Sequence, residues 1–321
     1  MSSVRVAEIA YALPAASATV HELAQRGKLQ SEPLLLERFG FVRVHTARDE
    51  SPYDLALAAA ERVLSNAGID ATEVGLLVHC GPQGPTAFEC APSERASSAA
   101  HRTTARFLFP AARLQHELGL ERAMVLGVDQ LACTMLVGAV RVARALCLAE
   151  NIRYALCVGA EFFPADAGRE AIWNCTSDAG VAVLLEQGPG ARRIVAAKHV
   201  TKGYYWDADA RRNEMVAAYF PTARHVIETT LLDAGWKQTD VDWIIPHNVN
   251  RRSWDILRPL CNLHGARLWD DNIARIGHTL AGDNFINLAD ALERGDVLPG
   301  QKLLLFSYGF GAHWTALAVE A

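Results

Sequence analysis

The sequence predicts an α/β protein made of two similar halves that stack into five layers of helices and sheets. Three observations lead to this fold class. The chain has 321 residues, which is enough for about two domains of roughly 150 residues each. Apolar strands alternate with helical patterns, as is typical of parallel-rich sheets covered by helices. A succession of helix, glycine and strand also occurs twice, at one constant offset.

Each half opens with an apolar strand that is followed by an amphipathic helix. The opening strands are predicted at 4–11 and around Ile194. Small and apolar residues then recur at helical spacing until Gly68 in the first half and until Gly235 in the second. A glycine just after the last periodic residue is a common helix terminator, because it adopts the left-handed conformation without strain.

The next elements also correspond between the halves. Apolar runs with the length of buried strands follow the two glycines, at 74–78 and 241–245. Second strand-like runs, which lead to Cys133 and His278 and then to long helices, are 123–128 and 273–277. Two further strands close each half, at 154–159 and 180–186 and at 302–309 and 315–320. We therefore predict two domains, 1–187 and 188–321.

Composition and charge exclude several classes of protein. Half of the residues are hydrophobic and 21% are charged, which is an ordinary globular composition and not that of a disordered chain. A net charge of −5 provides no overall positive field for nucleic acid or anionic lipid. No apolar run approaches the roughly 20 residues that span a bilayer. We expect a cytoplasmic protein without nucleic-acid or membrane partners.

The cysteines and the short motifs narrow the chemistry further. The seven cysteines are an odd number and include no CxxC pair, so we expect reduced thiols and no structural metal site. The sequence contains no GxxxxGK[ST], HExxH or GxSxG, and its glycine-rich GFGAHW lacks the third glycine of a dinucleotide loop. Nucleotide hydrolysis, zinc proteolysis and α/β-hydrolase chemistry therefore lose support.

The repeat brings three reactive side chains to equivalent places. Cys133 and His278 each lie where a loop enters a helix, and His247 follows the strand whose first-half copy ends near Cys80. In open α/β folds the functional groups gather at such strand and helix ends. We therefore predict one site that contains Cys133, His247 and His278.

Several ordered motifs resemble those of the ketoacyl-ACP synthase III branch of the thiolase superfamily. They are DLALAAAERVLSNAGI, DQLACT, SDAG, PHNVNRR, IGHTLAGDN, LPGQKLLLF and GFGAHW, and together they span essentially the whole chain. The resemblance implies the thiolase-like duplicated αβαβα fold of five layers and chemistry on thioesters. The active-site pattern is most similar to that of the branch's non-decarboxylating Cys-His-Asp acyltransferases.

The resemblance assigns roles to the first two residues of the site. The family's acyl-accepting cysteine corresponds to Cys133, and its position at a helix N-terminus predicts a lowered thiol pKa and a nucleophilic thiolate. His247 matches the family histidine that supports the nucleophile and polarises the thioester. Backbone N–H groups of Cys133 and near Gly309 and Gly311 are expected to form an oxyanion hole.

His278 departs from the decarboxylating pattern, in which the corresponding residue is asparagine. A neutral imidazole can act as a general base toward an alcohol, amine or thiol. Asp283 is expected to orient that imidazole and to stabilise its cationic form. Two alternatives stay open: Asp283 as a helix N-cap only, and a zinc ion held by Cys133, His247 and His278.

The resemblance, with a histidine at position 278, therefore implies an acyltransferase of secondary metabolism that uses an acyl-cysteine intermediate. The donor is a carrier-protein or CoA thioester, and the acceptor is a hydroxyl, amine or thiol of a small molecule. Asn250, Arg251 and Arg252 are expected to contact the donor's phosphates or pantetheine arm. No bound cofactor is expected, and the expected partners are a second copy in a homodimer and an acyl carrier protein. The alternatives are a decarboxylative carbon–carbon condensing enzyme and a non-catalytic heterodimer subunit, which the presence of Cys133 disfavours.

Overall fold

The computed structural model describes residues 3–81, 109–164 and 166–321. The strands within these ranges are β1 (Val4–Ala12), β2 (Ser17–Thr19), β3 (Arg43–His45), β4 (Val74–Cys80), β5 (Met124–Val128), β6 (Tyr154–Glu161), β7 (Glu170–Ala171), β8 (Asn174–Cys175), β9 (Ala179–Gln187), β10 (Arg193–Thr201), β11 (Trp243–Ile245), β12 (Arg267–Leu268), β13 (Lys302–Gly309) and β14 (His313–Glu320). The helices are α1 (Val20–Gln25), α2 (Pro33–Arg38), α3 (Pro52–Ala67), α4 (Pro110–Glu117), α5 (Met135–Glu150), α6 (Arg212–Ala234), α7 (Arg251–Leu260), α8 (Asp271–Arg275) and α9 (Asp283–Glu293).

Ten of the described strands form one sheet in the order β12-β11-β13-β14-β10-β1-β9-β6-β4-β5. β1 and β10 meet at the centre, where Arg5 lies opposite Arg193. The order from the centre outward is the same in both directions, with β1 matching β10, β9 matching β14 and β6 matching β13. The outer strands of each half pair in parallel and the inner ones antiparallel. The duplication predicted from the sequence is therefore confirmed.

Buried apolar side chains divide the molecule into layers. Residues of α5 and α9, such as Val137 and Leu288, pack together with strand residues of both halves and form the central layer. Buried residues of α3 cover the outer face of the first half, and those of α6 and α7 cover the second. The result is the predicted five-layer αβαβα stack.

The central helix α5 is also the most apolar helix of the described chain. By length and composition, the stretch Ala132–Glu150 could cross a membrane. In the structure it packs inside the protein, where Leu136, Val140 and Ala143 are completely or almost completely buried. Its hydrophobicity is therefore explained by its place between the two halves of the sheet.

The glycine terminators predicted for the two repeated helices are confirmed. α3 ends at Gly68 with φ 62°, and α6 ends at Gly235 with φ 70°. Both conformations are left-handed, so a residue with a Cβ would be strained at either position.

One predicted strand is wrong. The run 273–277 was expected to match β5, but most of it forms the short helix α8 (Asp271–Arg275). The strand that occupies the equivalent place is β12 (Arg267–Leu268), which pairs in parallel with β11. A short apolar run has the same appearance in a buried strand and in a buried helical turn, so periodicity could not separate them.

Candidate active site

The three reactive side chains predicted from the sequence come together where the two halves meet. Cys133 lies in a 3-10 turn, Ala132–Thr134, between β5 and α5. His247 follows β11, and His278 precedes a second 3-10 turn, Leu280–Gly282, that leads into α9. The sulfur of Cys133 and one ring nitrogen of each histidine lie within 4.8 Å of one another. One site therefore contains all three.

Asp283 is the charged centre of this site and is completely buried. Its Oδ2 lies 2.7 Å from Nδ1 of His278 and accepts a hydrogen bond of 2.7 Å from the backbone N–H of Asn248. Its Oδ1 accepts hydrogen bonds from the N–H and the hydroxyl of Thr279, at 2.6 and 2.7 Å. Burial alone would raise the pKa of this carboxyl, but His278 and these donors hold it below its usual value. Asp283 is therefore an anion that holds His278.

The N-cap alternative for Asp283 is wrong. The N-cap of α9 is Gly282, and no side chain caps the helix at that position. The Asp283 carboxylate accepts its bonds from His278, Thr279 and Asn248 instead. Asp283 therefore contacts the His278 imidazole and the loops at Thr279 and Asn248.

The hydrogen bonds distinguish the two histidines. Nδ1 of His247 accepts the backbone N–H of Tyr308 at 3.4 Å, so its proton resides on Nε2. Nδ1 of His278 donates to Asp283, which leaves the lone pair on Nε2. Burial and the neighbouring His278 lower the pKa of His247 to about 3, so this ring stays neutral. His247 is therefore a hydrogen-bond donor, and His278 is the group able to accept a proton.

The same tautomers bear on the zinc alternative. A zinc ion shared by the three side chains needs a lone pair from each histidine and a thiolate from the cysteine. His247 carries its proton on Nε2, the nitrogen opposite its bond with Tyr308. The three side chains, with this tautomer of His247, therefore do not fit a zinc ion.

The predicted lowering of the Cys133 pKa is wrong for this structure. Burial raises the pKa of the thiol well above its usual value, and the carboxylates of Glu161 and Asp283 raise it further. Burial, together with the charge of Asp283, outweighs the dipole of α5, whose favourable effect is small and limited to its first turn. Cys133 therefore rests as a neutral thiol and must transfer its proton when it reacts.

The SDAG motif positions His278 through the backbone. Thr176 and His278 form an isolated parallel bridge, in which the His278 N–H donates to Cys175 and the Ser177 N–H donates to His278. The distances are 2.9 and 2.8 Å. The motif in the first half therefore holds the base supplied by the second half.

Three buried asparagines that the sequence reasoning missed brace the same loops. Nδ2 of Asn287 donates to Pro246 O and to Oδ1 of Asn248, and Nδ2 of Asn248 donates to Gly277 O. Nδ2 of Asn284 donates to the carbonyls of Ile245 and Phe306. The available signal was the placement of Asn284 and Asn287 on the apolar face of α9.

The two glycines proposed for the oxyanion hole occupy different places. Gly309 packs directly against the nucleophile turn, because a Cβ on it would lie 3.0 Å from the Cys133 nitrogen and 2.7 Å from Leu131 O. Gly311 is not among the described residues that line the cavity, and a Cβ there would meet His313. The structure thus places Gly309 against the nucleophile turn and Gly311 beside His313.

A cavity of about 460 Å³ opens onto Cys133. Its wall is rich in aromatic side chains, which are Phe39, Phe163, Trp173, Tyr219, Phe220, Tyr308 and Phe310. Asn250 and Arg252 also line it, and Asn250 is the N-cap of α7. Arg251 does not, since its Nε donates to Asp270 at 2.6 Å. A long apolar group with a polar end near Arg252 fits this lining.

The chain is similar to known proteins along nearly its full length. Residues 231–321 match the family model for the C-terminal part of 3-oxoacyl-[acyl-carrier-protein] synthase III. The beta-ketoacyl-[acyl-carrier-protein] synthase III of Rhodospirillum rubrum is 28% identical over 96% of both chains.

Solved structures show the same fold. The 3-oxoacyl-[acyl-carrier-protein] synthase III of Aquifex aeolicus superposes with a TM-score of 0.83 at 20% identity, over 99% of this chain and 100% of that one. A structure named ChlB3 and described as an acyltransferase gives a TM-score of 0.84 at 19% identity, over 99% and 98% of the two chains. The chain is therefore similar along its length to proteins named ketoacyl-ACP synthase III, its residues 231–321 match the C-terminal model of that family, and its fold is the one that these structures share.

Proposed function

We propose that the protein is an acyltransferase that moves an acyl group from a thioester donor, through Cys133, to a hydroxyl, amine or thiol acceptor. The observation that carries this proposal is the contact between Asp283 and His278. Asp283 holds Nδ1 of His278 at 2.7 Å and so leaves Nε2 able to accept a proton. A condensing enzyme needs only a hydrogen-bond donor at that position, whereas a transferase needs a base.

The first half-reaction is the acylation of Cys133. The thiol passes its proton to His278 as the sulfur attacks the thioester carbonyl carbon. The N–H of His247 and backbone N–H groups near Cys133 and Gly309 would stabilise the oxyanion, and their closeness to the sulfur supports this role. The bond between the carbonyl carbon and the donor sulfur then breaks, and the donor thiol leaves with the proton.

The second half-reaction returns the enzyme to its resting state. The acceptor gives its proton to Nε2 of His278 and attacks the acyl carbon. Asp283 stabilises the imidazolium that forms. The sulfur of Cys133 leaves, recovers the proton, and the acylated acceptor is released. All atoms and charges balance without a cofactor or a metal ion.

The cavity supports the further parts of the proposal. Its apolar wall suits an acyl chain or a pantetheine arm, and Arg252 at the wall suits a phosphate of a carrier protein or of CoA. We assign the protein to the cytoplasm and to secondary metabolism, as a homodimer that receives its donor from an acyl carrier protein. We also propose polyketide-related acyl transfer as the pathway class, because the pattern of Cys133, His278 and Asp283 resembles that of acyltransferases from such pathways.

The test separates the two half-reactions in the variants His278→Ala and His278→Asn. Each protein is exposed to a panel of acyl thioesters, and the intact mass is measured before and after addition of small-molecule acceptors. Both variants should still acquire an acyl group on Cys133, at a reduced rate, but should lose transfer by on the order of 10²- to 10⁴-fold, the amount that a positioned base supplies.

The control is Cys133→Ala, which should show no mass increase with any donor. An adduct that persists on this variant would contradict the assignment of the nucleophile. Release of carbon dioxide from a malonyl donor with formation of a carbon–carbon bond, retained in His278→Asn, would establish the condensing alternative. Absence of any acylation with all donors would favour the non-catalytic alternative.

A further inference from the structure

Glu161 is a second buried acid in the site, and the reaction proposed above does not use it. It is the last residue of β6 and is only 6% exposed. Its Oε2 accepts the backbone N–H of Ala281 at 2.5 Å. Ala281 lies in the turn between His278 and Asp283, so a side chain of the first half binds the turn that carries the base.

The surroundings of Glu161 provide no compensating positive charge. Within the described ranges no arginine or lysine forms an ion pair with it. The buried cation Arg169 is paired with Asp178, the residue before β9. A cavity of about 10 Å³ next to Glu161 has room for about one water molecule.

The titratable groups that face Glu161 come from three other elements. They are Cys80 on β4, Cys133 before α5, and Asp283 at the start of α9. The remaining residues around the cavity, from α5, β6, β9 and the turn before α9, are uncharged. Burial raises the pKa of Glu161 to about 8, and the neighbouring Asp283 contributes to that rise.

The two acids of the site thus hold opposite protonation states near neutral pH. Asp283 is an anion because two histidines and three hydrogen-bond donors surround it. Glu161 has one backbone donor and stays protonated. Acids whose environments drive their pKa values apart are a common sign of distinct roles in one site.

We propose that Glu161 is a positioning residue that gates the acylation of Cys133 through its own proton. As a neutral acid it permits the thiol to ionise, and as an anion it opposes that ionisation, while in both forms it holds the Ala281 turn. The inference deepens the proposed function and rests on it. The reactivity of Cys133 should therefore respond less steeply to rising pH than that of an isolated thiol.

The substitution Glu161→Gln tests the gate, because glutamine can still accept the Ala281 N–H but cannot ionise. The readout is the rate at which iodoacetamide alkylates Cys133 between pH 6 and 10, followed by peptide mass spectrometry. We expect alkylation of the variant to match the wild type below about pH 7 and to be about tenfold faster near pH 10, where Glu161 of the wild type is ionised, which corresponds to on the order of one unit in the thiol pKa. Alkylation needs no acyl donor, so its result is independent of whether the transferase reaction is found.

The matched control is Glu186→Gln, the same change in β9, where the carboxylate pairs with Arg5 on the surface of the sheet. This variant should follow the wild-type profile. If Glu161→Gln also follows it, the gate does not exist. A shift of the Glu161→Gln profile to higher pH would also contradict the gate.

Infrared spectroscopy of the wild-type protein provides a second measurement if the variant does not fold. Among the described carboxyl groups with a shifted pKa, Glu161 is the one whose pKa is raised. A protonated carboxyl band should therefore be present at pH 6.5 and should disappear with a midpoint near 8. Its absence at pH 6.5 would overturn the proposal.

Discussion

At the scale of single residues, the site depends on how one carboxylate distributes its hydrogen bonds. Both oxygens of Asp283 are engaged, one by Thr279 and the other by His278 and Asn248. Asp283 therefore couples the orientation of the His278 ring to the conformation of the loops at Asn248 and Thr279. A change of its charge therefore affects chemistry and local structure together.

The first prediction concerns Asp283→Asn. In the wild type, both carboxylate oxygens of Asp283 accept hydrogen bonds. In the variant, an NH₂ group replaces one of these oxygens and faces other donors, so we expect a loss of about 1–3 kcal/mol of stability from unsatisfied buried groups. We also expect the transfer half-reaction to fall by at least a hundredfold, because the imidazolium of His278 loses its counter-charge. Urea denaturation and acyl-transfer rates from the preformed acyl-enzyme measure the two effects.

The comparison that isolates the chemical effect is Thr279→Val, which removes one hydroxyl donor to Asp283 but keeps the charge. It should lose stability and retain most of the transfer rate. Equal losses of transfer in the two variants would contradict a role for the Asp283 charge.

The residues of the site differ in how well the sequence predicted them. Cys133, His247 and His278 were found because each is reactive and lies at a repeated junction, and Asp283 was found because it follows His278 by five residues. Their protonation was not predictable, because it depends on burial and on which atoms meet across the two halves. Glu161 was missed because a single acid at the end of an apolar strand has no spacing that indicates function.

At the scale of elements, the hairpin of β7 and β8 is the clearest departure from local preference. Its two turn residues, Ile172 and Trp173, have φ values of 47° and 61°. Such turns favour Asn-Gly, and a β-branched residue there is strained. Both side chains line the Cys133 cavity, and Asn174 ties the hairpin to the N–H of Asn250 at 2.8 Å. Strain at a cavity wall points to a function of these side chains.

The second prediction is that Trp173→Gly alters donor choice without loss of stability. Glycine removes the left-handed strain of about 1–2 kcal/mol, so the melting temperature should stay equal or rise. The opened cavity should change the ratio of acylation rates for long and short acyl donors by on the order of tenfold. Thermal denaturation and intact-mass kinetics provide the two measurements.

The control for loss of a surface tryptophan is Trp206→Gly. Trp206 is 77% exposed and does not line the cavity. Its removal should leave the donor preference unchanged. An unchanged preference in Trp173→Gly as well would mean that the hairpin does not select the donor.

The longer and more periodic a helix or strand is, the better the sequence predicted it. The long helices α3, α5 and α9 and the strands of the large sheet follow clear patterns. The helix α8 and the pair β7 and β8 are too short for periodicity to detect, and their conformations are set by contacts from distant parts of the chain. The local sequence pattern therefore predicted the long helices and the strands of the large sheet, but not the elements that form the cavity wall.

At the scale of the whole molecule, β5 is an edge strand that pairs only with β4 among the described strands. An open sheet edge invites pairing with another chain unless it is covered. The third prediction is that the protein is a dimer through this edge, so light scattering should give twice the chain mass of 34.9 kDa.

The substitution Gly127→Glu tests the edge directly. A side chain at Gly127 meets nothing within 4 Å in the single chain, so the fold should tolerate it. Like charges facing each other across the dimer axis should then produce a monomer. Gly265→Glu, another glycine with open space around it, should stay dimeric. A wild-type monomer at working concentration would contradict the prediction, and a dimeric Gly127→Glu would place the interface elsewhere.

The division of the site between the two halves also determines when the enzyme can become active during its synthesis. The nucleophile, Cys133, leaves the ribosome long before His247, His278 and Asp283. The turn that carries the base is held by Glu161 and by the strand bridge at Thr176, both from the first half. A nascent chain therefore holds a thiol without its base until nearly the whole polypeptide has emerged. Because these contacts join segments far apart in sequence, they form late in folding, and the thiol acquires its reactivity only in the finished protein.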